Sequence, residues 1–306
     1  MREITDGVFV EDRYSLHGDY HGCNYGYVET GDGLVAIDTP EWPADAVPYR
    51  DRLAEAGSVR YLVNTHQHID HVAGNHFVPG ERISHDCVRA AISIPPEYDR
   101  TRSLLGHLFE DDLAKQKIAT VEEWGPDGFD WEDLMRLIFA DLDPESLEHL
   151  DGYEMAPPEV TFNDTATLHV GECTFELLHM PGHVESHIAV YIPEKSVLFA
   201  GDNVTTECYP SMASAVPQDW LASLDRLANL DLEHVVPGHG PVAGPEAITS
   251  FRSFLETVRD RVEAATAERS VENAVTALDF TDLRPALHPM ALSHRDDVER
   301  LYEVLS

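Results

Sequence analysis

Residues 64–71 read NTHQHIDH, directly after the apolar run VRYLV at residues 59–63. Six positions at the end of an expected β-strand therefore hold three histidines and an aspartate: His66, His68, Asp70 and His71. Imidazole nitrogens and carboxylate oxygens bind a borderline divalent cation such as zinc at about 2.0–2.2 Å. In extended backbone the first two histidines point to the same side, because side chains alternate along a strand. Asp70 and His71 fall in the first turn of an expected helix. Packing needs no such pattern, so the stretch predicts a metal site.

Three later loops each place a further candidate ligand after an apolar run. MPGH ends at His183, FAGD ends at Asp202, and VPGHG contains His239. A glycine directly before each of these residues lets the backbone turn sharply or approach another segment closely. The seven candidates suffice for two metal ions that share one carboxylate. We expect a first ion at His66, His68 and His183, a second at Asp70, His71 and His239, and Asp202 between them.

The charge of the chain is strongly negative. Its 306 residues include 21 basic and 56 acidic ones, which gives a net charge of −35, and only three of the basic residues are lysines. Repulsion of this size destabilises a compact state unless salt screens it, over a length of about 3 Å at 1 M. We therefore expect an acidic, salt-adapted protein. Such a surface disfavours polyanionic partners, so nucleic acid is an unlikely ligand.

The remaining composition indicates a globular cytoplasmic protein. No run of 18 or more apolar residues exists, which predicts no membrane span, and the N-terminus lacks the pattern of a secretory signal. The cysteines are far apart without a CxxC pair, which predicts free thiols in a reducing compartment: Cys23, Cys87, Cys173 and Cys208. The expected partner is a small-molecule substrate, and the sequence leaves the oligomeric state open.

Short β-branched or aromatic runs followed by polar turns occur in both halves of the chain. They predict strands, and they read GYVET, LVAIDT and RYLVNT in the first half and TFELLHM, SVLFA and HVVP in the second. Apolar positions spaced by three and four predict helices at residues 44–56, 218–229 and 245–265. Strands and helices in two such halves suggest an α/β fold in which two sheets pack face to face with helices outside.

Two segments stand apart from this pattern. Residues 86–160 form an acidic, mostly helical insertion, which is either a lid over the site or a packing elaboration. Residues 266–306 form a C-terminal helical extension packed on the catalytic domain, which we place at residues 1–265.

The motif HxHxDH, followed in order by PGH, GD and PGHG loops, resembles the metallo-β-lactamase superfamily from about Gly22 to Gly240. This resemblance implies an αββα sandwich of two mixed β-sheets flanked by helices, with the metals at one edge of the sheets. Asp38 in AIDTP matches the first motif of the family, an aspartate that supports the ligand loop by hydrogen bonding.

Within the superfamily, the seven ligand positions resemble the glyoxalase II and lactonase branch. The commonest β-lactamases place arginine at the position of His71 and cysteine at that of Asp202, and the family's di-iron flavoproteins place glutamate at that of His68. The chain has too few basic residues to match the members that act on glutathione thioesters.

The resemblance implies a metallohydrolase with two divalent ions, zinc by preference and manganese or iron as alternatives. Two such ions about 3.5–4 Å apart share a water and lower its pKa from about 15.7 toward about 7. The bridging hydroxide would cleave a small ester, thioester or lactone, with Asp70 as the catalytic residue that orients it and shuttles its proton. The alternatives are a nuclease acting on RNA or DNA phosphodiesters and an iron-dependent persulfide dioxygenase-like enzyme.

Several further residues are candidates for the surroundings of the metals. His187 and Tyr209 follow ligand-bearing loops and are expected behind the ligands or in the substrate pocket. His17 and His21 lie in a loop that we expect near the metal edge, and His288 and His294 are expected at the surface.

Overall fold

A computed structural model describes residues 1–12, 22–41, 43–92, 156–266, 270–278, 280, 282–284 and 294–305. Most of the insertion at residues 86–160 lies outside these ranges, as do His17, His21 and His288. The expectations of a lid, of a loop near the metals and of a surface position for His288 therefore stay predictions.

In the described chain, the first sheet has seven strands that follow one another in sequence order. The first four pair antiparallel and the last four pair in parallel. Parallel neighbours need a crossover connection, and helix α1 (Pro43–Ala56) supplies it between β4 and β5. The strands are β1 (Arg2–Thr5), β2 (Val8–Glu11), β3 (Tyr25–Thr30), β4 (Gly33–Ile37), β5 (Val59–Val63), β6 (Glu81–His85) and β7 (Val160–Phe162). Two short helices flank β6, namely α2 (Ile69–Val72) and α3 (Asp86–Ile92).

The second sheet has five strands among the described residues, in the order β12-β11-β10-β9-β8. Its strands pair antiparallel except β11 and β12, which are parallel and are connected through helix α4 (Pro217–Leu227). The strands are β8 (Thr165–Val170), β9 (Cys173–His179), β10 (Ile188–Ile192), β11 (Val197–Thr205) and β12 (His234–His239).

The two sheets pack face to face through a continuous apolar layer. Alternation along β4 shows how the sequence builds it, because Val35 and Ile37 belong to the layer between the sheets. Leu34 and Ala36, the alternate residues, belong instead to the cluster under α1. Both faces of the strand are thus buried, which explains why its sequence is apolar throughout.

The outer face of the second sheet is covered by helices from the C-terminal part of the chain. Trp220 of α4 and Phe251 of α5 (Glu246–Thr266) belong to one buried cluster with residues of β10 and β11. Helices α6 (Val271–Ala277) and α7 (His294–Leu305) add Ala274 and Val298 to the same cluster. The order helix, sheet, sheet, helix confirms the predicted αββα sandwich.

The sequence runs mark the strands well but misplace two boundaries. The expected strand HVVP ends at Pro237, whereas β12 continues to His239, so the prediction that His239 lies in a loop was wrong. The expected strand SVLFA ends before Gly201, whereas β11 continues to Thr205. Its pairing with β12 shifts register at Gly201, which has a left-handed φ of 49°. Asp202 therefore lies inside an irregular strand, and the prediction that it lies in a loop was wrong.

Among the described residues, no helix combines the length and the hydrophobicity that a membrane crossing requires.

Candidate metal centre

The HxHxDH segment is held in place by Asp38, which follows β4. The Asp38 carboxylate accepts hydrogen bonds from the Thr65 amide and hydroxyl, both at 2.7 Å. His71 Nδ1 lies 2.9 Å from Asp38 Oδ2, so the ring donates its Nδ1 proton to this carboxylate. Nδ1 is thus used for support, and His71 Nε2 is left to face the centre.

The residues predicted for the first ion come together at the edge of the two sheets. One candidate donor atom from each of His66, His68, His183 and Asp202 lies within 4.8 Å of those from the other three. His183 Nε2 is 3.3 Å from Asp202 Oδ2 and 2.9 Å from His68 Nδ1. These spacings between donors suit a single ion that binds them all.

The residues predicted for the second ion form an adjoining group. Donor atoms of Asp70, His71 and His239 also lie within 4.8 Å of one another. Asp202 contacts this group as well, because its Oδ1 is 3.1 Å from His71 Nε2 and its Oδ2 is 3.3 Å from His239 Nε2. Its carboxylate therefore lies between the two groups of donors, where the sequence analysis placed a shared ligand.

The side chains fit divalent cations by a criterion that is independent of sequence. Buried polar atoms are almost always hydrogen-bonded in proteins, yet three that face the centre have no hydrogen-bond partner among the described residues. They are His66 Nε2, His71 Nε2 and Asp202 Oδ1. All three belong to the candidate ligands, and a metal ion would satisfy buried atoms of this kind without any other change.

When no cation is present, the histidines of the cluster are of two kinds: some have a raised pKa and others a lowered pKa. Burial alone would lower the pKa of His239, but the charge of Asp202 and hydrogen bonds to Asp202 and Asp70 raise it to about 10. Burial would lower the pKa of His71 as well, but the charges of Asp202, Asp70 and Asp38 hold it well above its ordinary value. Burial instead dominates at His183 and lowers its pKa to about 3.

The carboxylates show the opposite balance. Burial alone would raise the pKa of Asp202, but the charges of His239, His71 and His183 hold it well below its ordinary value. The pKa of Asp70 is lowered as well, with burial opposing the effect of His71 and His239. Both carboxyl groups are thus ionised, as they must be to bind a cation.

Cys23 is a cysteine close to the centre that the sequence analysis treated only as a free thiol. It forms a group with Asp38 and His71 that has the spacing of metal donors. Burial, however, raises the pKa of its thiol to about 12, and Sγ donates to the Thr39 carbonyl at 3.6 Å. Cys23 is therefore a neutral thiol packed behind His71, and the donor set consists of nitrogen and oxygen.

Glu41 is a second residue near the centre that the sequence analysis did not single out. Its Cβ and that of Asp70 lie on either side of Gly22, 3.3 and 3.8 Å from the point that a Gly22 Cβ would occupy. Burial, followed by the charge of Asp70, raises the pKa of Glu41 to about 8. Its position directly after the DTP turn of Asp38 was the available sequence signal.

The two other predicted neighbours lie inside the protein. His187 is fully buried and stacks on His66 with ring centroids 5.1 Å apart, so it supports that ligand from behind. Tyr209 is 3% exposed and packs between Phe254 and Phe280. This packing favours a structural role for Tyr209 over contact with a substrate.

The sequence of residues 18–239 matches the family model of the metallo-beta-lactamase superfamily. Because the match spans most of the chain, the chain belongs to this superfamily. Solved structures agree at the level of the fold. A metallo-beta-lactamase from Pontibacter korlensis superposes with a TM-score of 0.56 at 19% identity, covering 83% of this chain and 97% of that one. A metallo-beta-lactamase family protein from Thermus thermophilus gives 0.56 at 20% identity, covering 95% and 91%.

Relatives of known activity include several hydrolases. A linear primary-alkylsulfatase from Pseudomonas sp. is 26% identical over 249 residues, which is 77% of this chain but 44% of the relative. The acyl-coenzyme A thioesterase MBLAC2 of Homo sapiens is 23% identical over 271 residues, 82% of this chain and 85% of the relative. A hydroxyacylglutathione hydrolase from Pseudomonas entomophila is 31% identical over 138 residues, 41% and 53%. These relatives agree with the interpretation of the chain as a metallohydrolase.

Proposed function

We infer that the chain is a hydrolase with two divalent ions, zinc by preference, that cleaves a small carboxylic ester, thioester or lactone. The observation that carries this inference is the position of Asp202. Its two oxygens lie within 3.3 Å of histidine nitrogens from both groups of donors, namely His183 of the first and His71 and His239 of the second. A carboxylate so placed is suited to bridge two cations.

The chemistry of such a centre needs no nucleophilic side chain. When held by these residues, divalent ions would supply a water of lowered pKa and would polarise the oxygen of the scissile group. The chain supplies the geometry: His71 is fixed through its Nδ1 by Asp38, so that only Nε2 faces inward. Asp70 Oδ2 is 3.3 Å from His239 Nε2 and 3.6 Å from His71 Nε2. We propose that it orients the attacking water and holds its proton.

The substrate class follows from the relatives together with the charge of the chain. Thioesterases and a hydroxyacylglutathione hydrolase are among the relatives, which favours an acyl ester or thioester bond. A net charge of −35 disfavours a strongly anionic carrier at low salt. We therefore propose a small acyl compound of low charge as the substrate, and phosphodiester cleavage as the less favoured reaction.

Elemental analysis of the protein purified in high salt, followed by a panel of substrates on the same sample, tests this function. We expect about two divalent ions per chain and turnover of thioester or lactone substrates. Asp202→Ala and His183→Ala should each lose metal and activity together, because each removes a donor. Full turnover with unchanged metal content in either variant contradicts the ligand assignment, and turnover of a phosphodiester alone contradicts the substrate class.

An alkyl sulfate ester is the second candidate substrate. It rests on the similarity to the linear primary-alkylsulfatase, which extends over 77% of this chain. Primary alkyl sulfates of several chain lengths belong in the same panel. Turnover of these compounds without turnover of carboxylic esters or thioesters would favour this candidate over the first.

A further inference from the structure

Two of the ligand histidines lie in Pro-Gly-His segments, and one buried asparagine binds the backbone of each segment. The first segment is the turn Pro181-Gly182-His183. The Asn203 side chain donates to the Met180 carbonyl before the turn at 2.5 Å and accepts from the His183 amide at its end at 2.9 Å. Asn203 is fully buried and directly follows Asp202, so the same backbone segment carries a shared ligand and the support of another ligand.

Asn203 is itself fixed by its surroundings. The Trp220 indole donates to the Asn203 carbonyl at 3.1 Å, and the Trp220 ring meets the His183 ring edge-on with centroids 5.7 Å apart. A side chain at Gly182 would collide with both the Asn203 amide and the Trp220 ring. The turn at Gly182 therefore packs directly against Asn203 and Trp220, with no room for a side chain between them.

The second segment is Pro237-Gly238-His239 at the end of β12, and Asn24, which directly precedes β3 of the other sheet, binds its backbone. Asn24 Nδ2 donates to the carbonyl of Pro237, the first residue of the segment, at 2.8 Å and to the Gly240 carbonyl after it at 2.7 Å. The Asn24 amide also donates to the Gly238 carbonyl at 2.7 Å. Asn24 is 3% exposed, so these bonds are made in the interior.

We propose that Asn203 and Asn24 are positioning residues that each tune the binding of a different ion. Asn203 acts on the ion held by His66, His68 and His183, and Asn24 acts on the ion held by Asp70, His71 and His239. This proposal rests on the two-ion centre of the proposed function.

The physical basis is that a ligand must be held in its binding geometry before the ion arrives. Groups behind metal ligands change affinity by about 10–100-fold when they are removed. The described contacts of the Asn203 side chain are with the His183 turn, and those of Asn24 are with the end of β12 at His239. Their effects should therefore separate between the two ions, which a general loss of stability would not produce.

Zinc affinities of metal-depleted Asn203→Ala and Asn24→Ala, measured by competition with a chelator, test the proposal. Each variant is also made in His239→Ala, which keeps the first group of donors, and in His183→Ala, which keeps the second. In the His239→Ala protein, Asn203→Ala should lower the zinc affinity of the remaining site by about 10–100-fold. Asn24→Ala should change that affinity by no more than about twofold, as for independent sites. The pattern should reverse in His183→Ala.

The matched control is Asn229→Ala, which removes an exposed asparagine that bonds only locally to the Asp225 carbonyl. It should leave both affinities unchanged. Asn203→Asp keeps the acceptor for the His183 amide and loses the donor to Met180, so its effect should fall between those of asparagine and alanine. Circular dichroism and the melting temperature of each metal-free variant show whether it folds.

The proposal is overturned if either variant lowers the affinity for both ions equally. It is also overturned if the affinity for the assigned ion does not change. It is also overturned if neither Asn203→Ala nor Asn203→Asp retains the folded dichroism, because Asn203 is then a requirement for folding. A parent protein that binds only one ion contradicts the proposed function instead, so the two failures are distinguishable.

Discussion

Asp38 adopts a left-handed backbone conformation, with φ of 54°, at the point where β4 ends. Aspartate tolerates this conformation better than most residues. The turn directs the carboxylate toward the backbone of the neighbouring strand, where it holds both Thr65 and His71. The position and the tautomer of a candidate metal ligand thus depend on one strained residue.

Asp38→Asn should lower the affinity for the ion held by Asp70, His71 and His239 by about 10–100-fold. The amide has only one acceptor oxygen, so it cannot accept hydrogen bonds at both carboxylate positions as aspartate does. The affinity of metal-depleted protein, measured by chelator competition, checks this expectation. The control is Asp32→Asn in an exposed turn. Unchanged affinity in Asp38→Asn would show that Asp38 does not position His71.

Metal loading should release protons near neutral pH. His239 has a pKa raised to about 10 and His71 a pKa well above its ordinary value in the metal-free protein, so both carry a proton that a bound ion must displace. Zinc affinity should therefore rise with pH, and the calorimetric binding enthalpy should vary with the ionisation enthalpy of the buffer. An enthalpy that is the same in all buffers would contradict the assigned charge states.

The same raised pKa affects the stability of the metal-free protein. Because the folded pKa of His239 lies above its unfolded value of about 6.5, its contribution is fully present below pH 6.5 and is lost as pH rises through about 10. Denaturant unfolding of the metal-free protein at a series of pH values measures this loss. His239→Ala, which lacks the group, is the control and should show a shallower decline.

His187→Leu should leave the unfolding free energy within about 1 kcal/mol of the parent value. Both ring nitrogens are buried without a hydrogen-bond partner among the described residues, so no described hydrogen bond is lost. The KM of the proposed reaction should also be unchanged, since a fully buried side chain does not touch a substrate. A large rise in KM would show that His187 is a pocket residue after all.

At the scale of elements, helix α1 is joined to the first sheet by a buried polar contact as well as by apolar packing. The Tyr49 hydroxyl donates to the Gly26 carbonyl of β3 at 2.7 Å, and its ring packs against Tyr25. A Gly26 Cβ would collide with the Phe9 carbonyl of β2. Glycine at position 26 therefore lets β2 approach closely, and the Gly26 carbonyl accepts the hydrogen bond from Tyr49 of α1.

Tyr49→Phe should lower the unfolding free energy by about 1 kcal/mol, because the buried Gly26 carbonyl loses its partner. Denaturant unfolding measures the change, and metal content should stay the same. The control is Tyr61→Phe on β5, whose hydroxyl makes no hydrogen bond with the described residues. An equal loss in both variants would show that the Tyr49 bond contributes nothing specific.

The elements were predictable where the pattern was local. The apolar runs correctly marked β3, β4, β5, β9, β11 and β12, and the spacing of apolar residues marked α1, α4 and α5. The extension of β11 through Asp202 was missed, because GDNV reads as a turn until β12 is known to pair beside it. Strand boundaries depend on such partners, which one segment of sequence does not contain.

At the scale of the whole molecule, the net charge of −35 leads us to expect that added salt stabilises the fold. The melting temperature should rise between about 0.1 M and about 1 M KCl, because the screening length shortens from about 10 Å to about 3 Å. A thermal melt followed by circular dichroism measures the shift. A melting temperature that does not rise with KCl would contradict salt adaptation.

The sequence by itself determined the superfamily, the αββα sandwich and the residue types of the candidate centre. It could do so because HxHxDH and the later glycine-bounded loops are local patterns, and because strand periodicity indicates which faces are buried. The seven side chains that it singled out do come together at one edge of the sheets.

Only the tertiary structure decided what stands behind those side chains. Asn24 is 213 residues from Pro237, and Glu41 and Cys23 approach the centre through loops of the first sheet. The sequence left open whether His187 and Tyr209 lie behind the ligands or in the substrate pocket, and the structure shows that both are buried. Contacts of this kind follow from how two sheets register against each other, so the pattern within any one segment does not encode them.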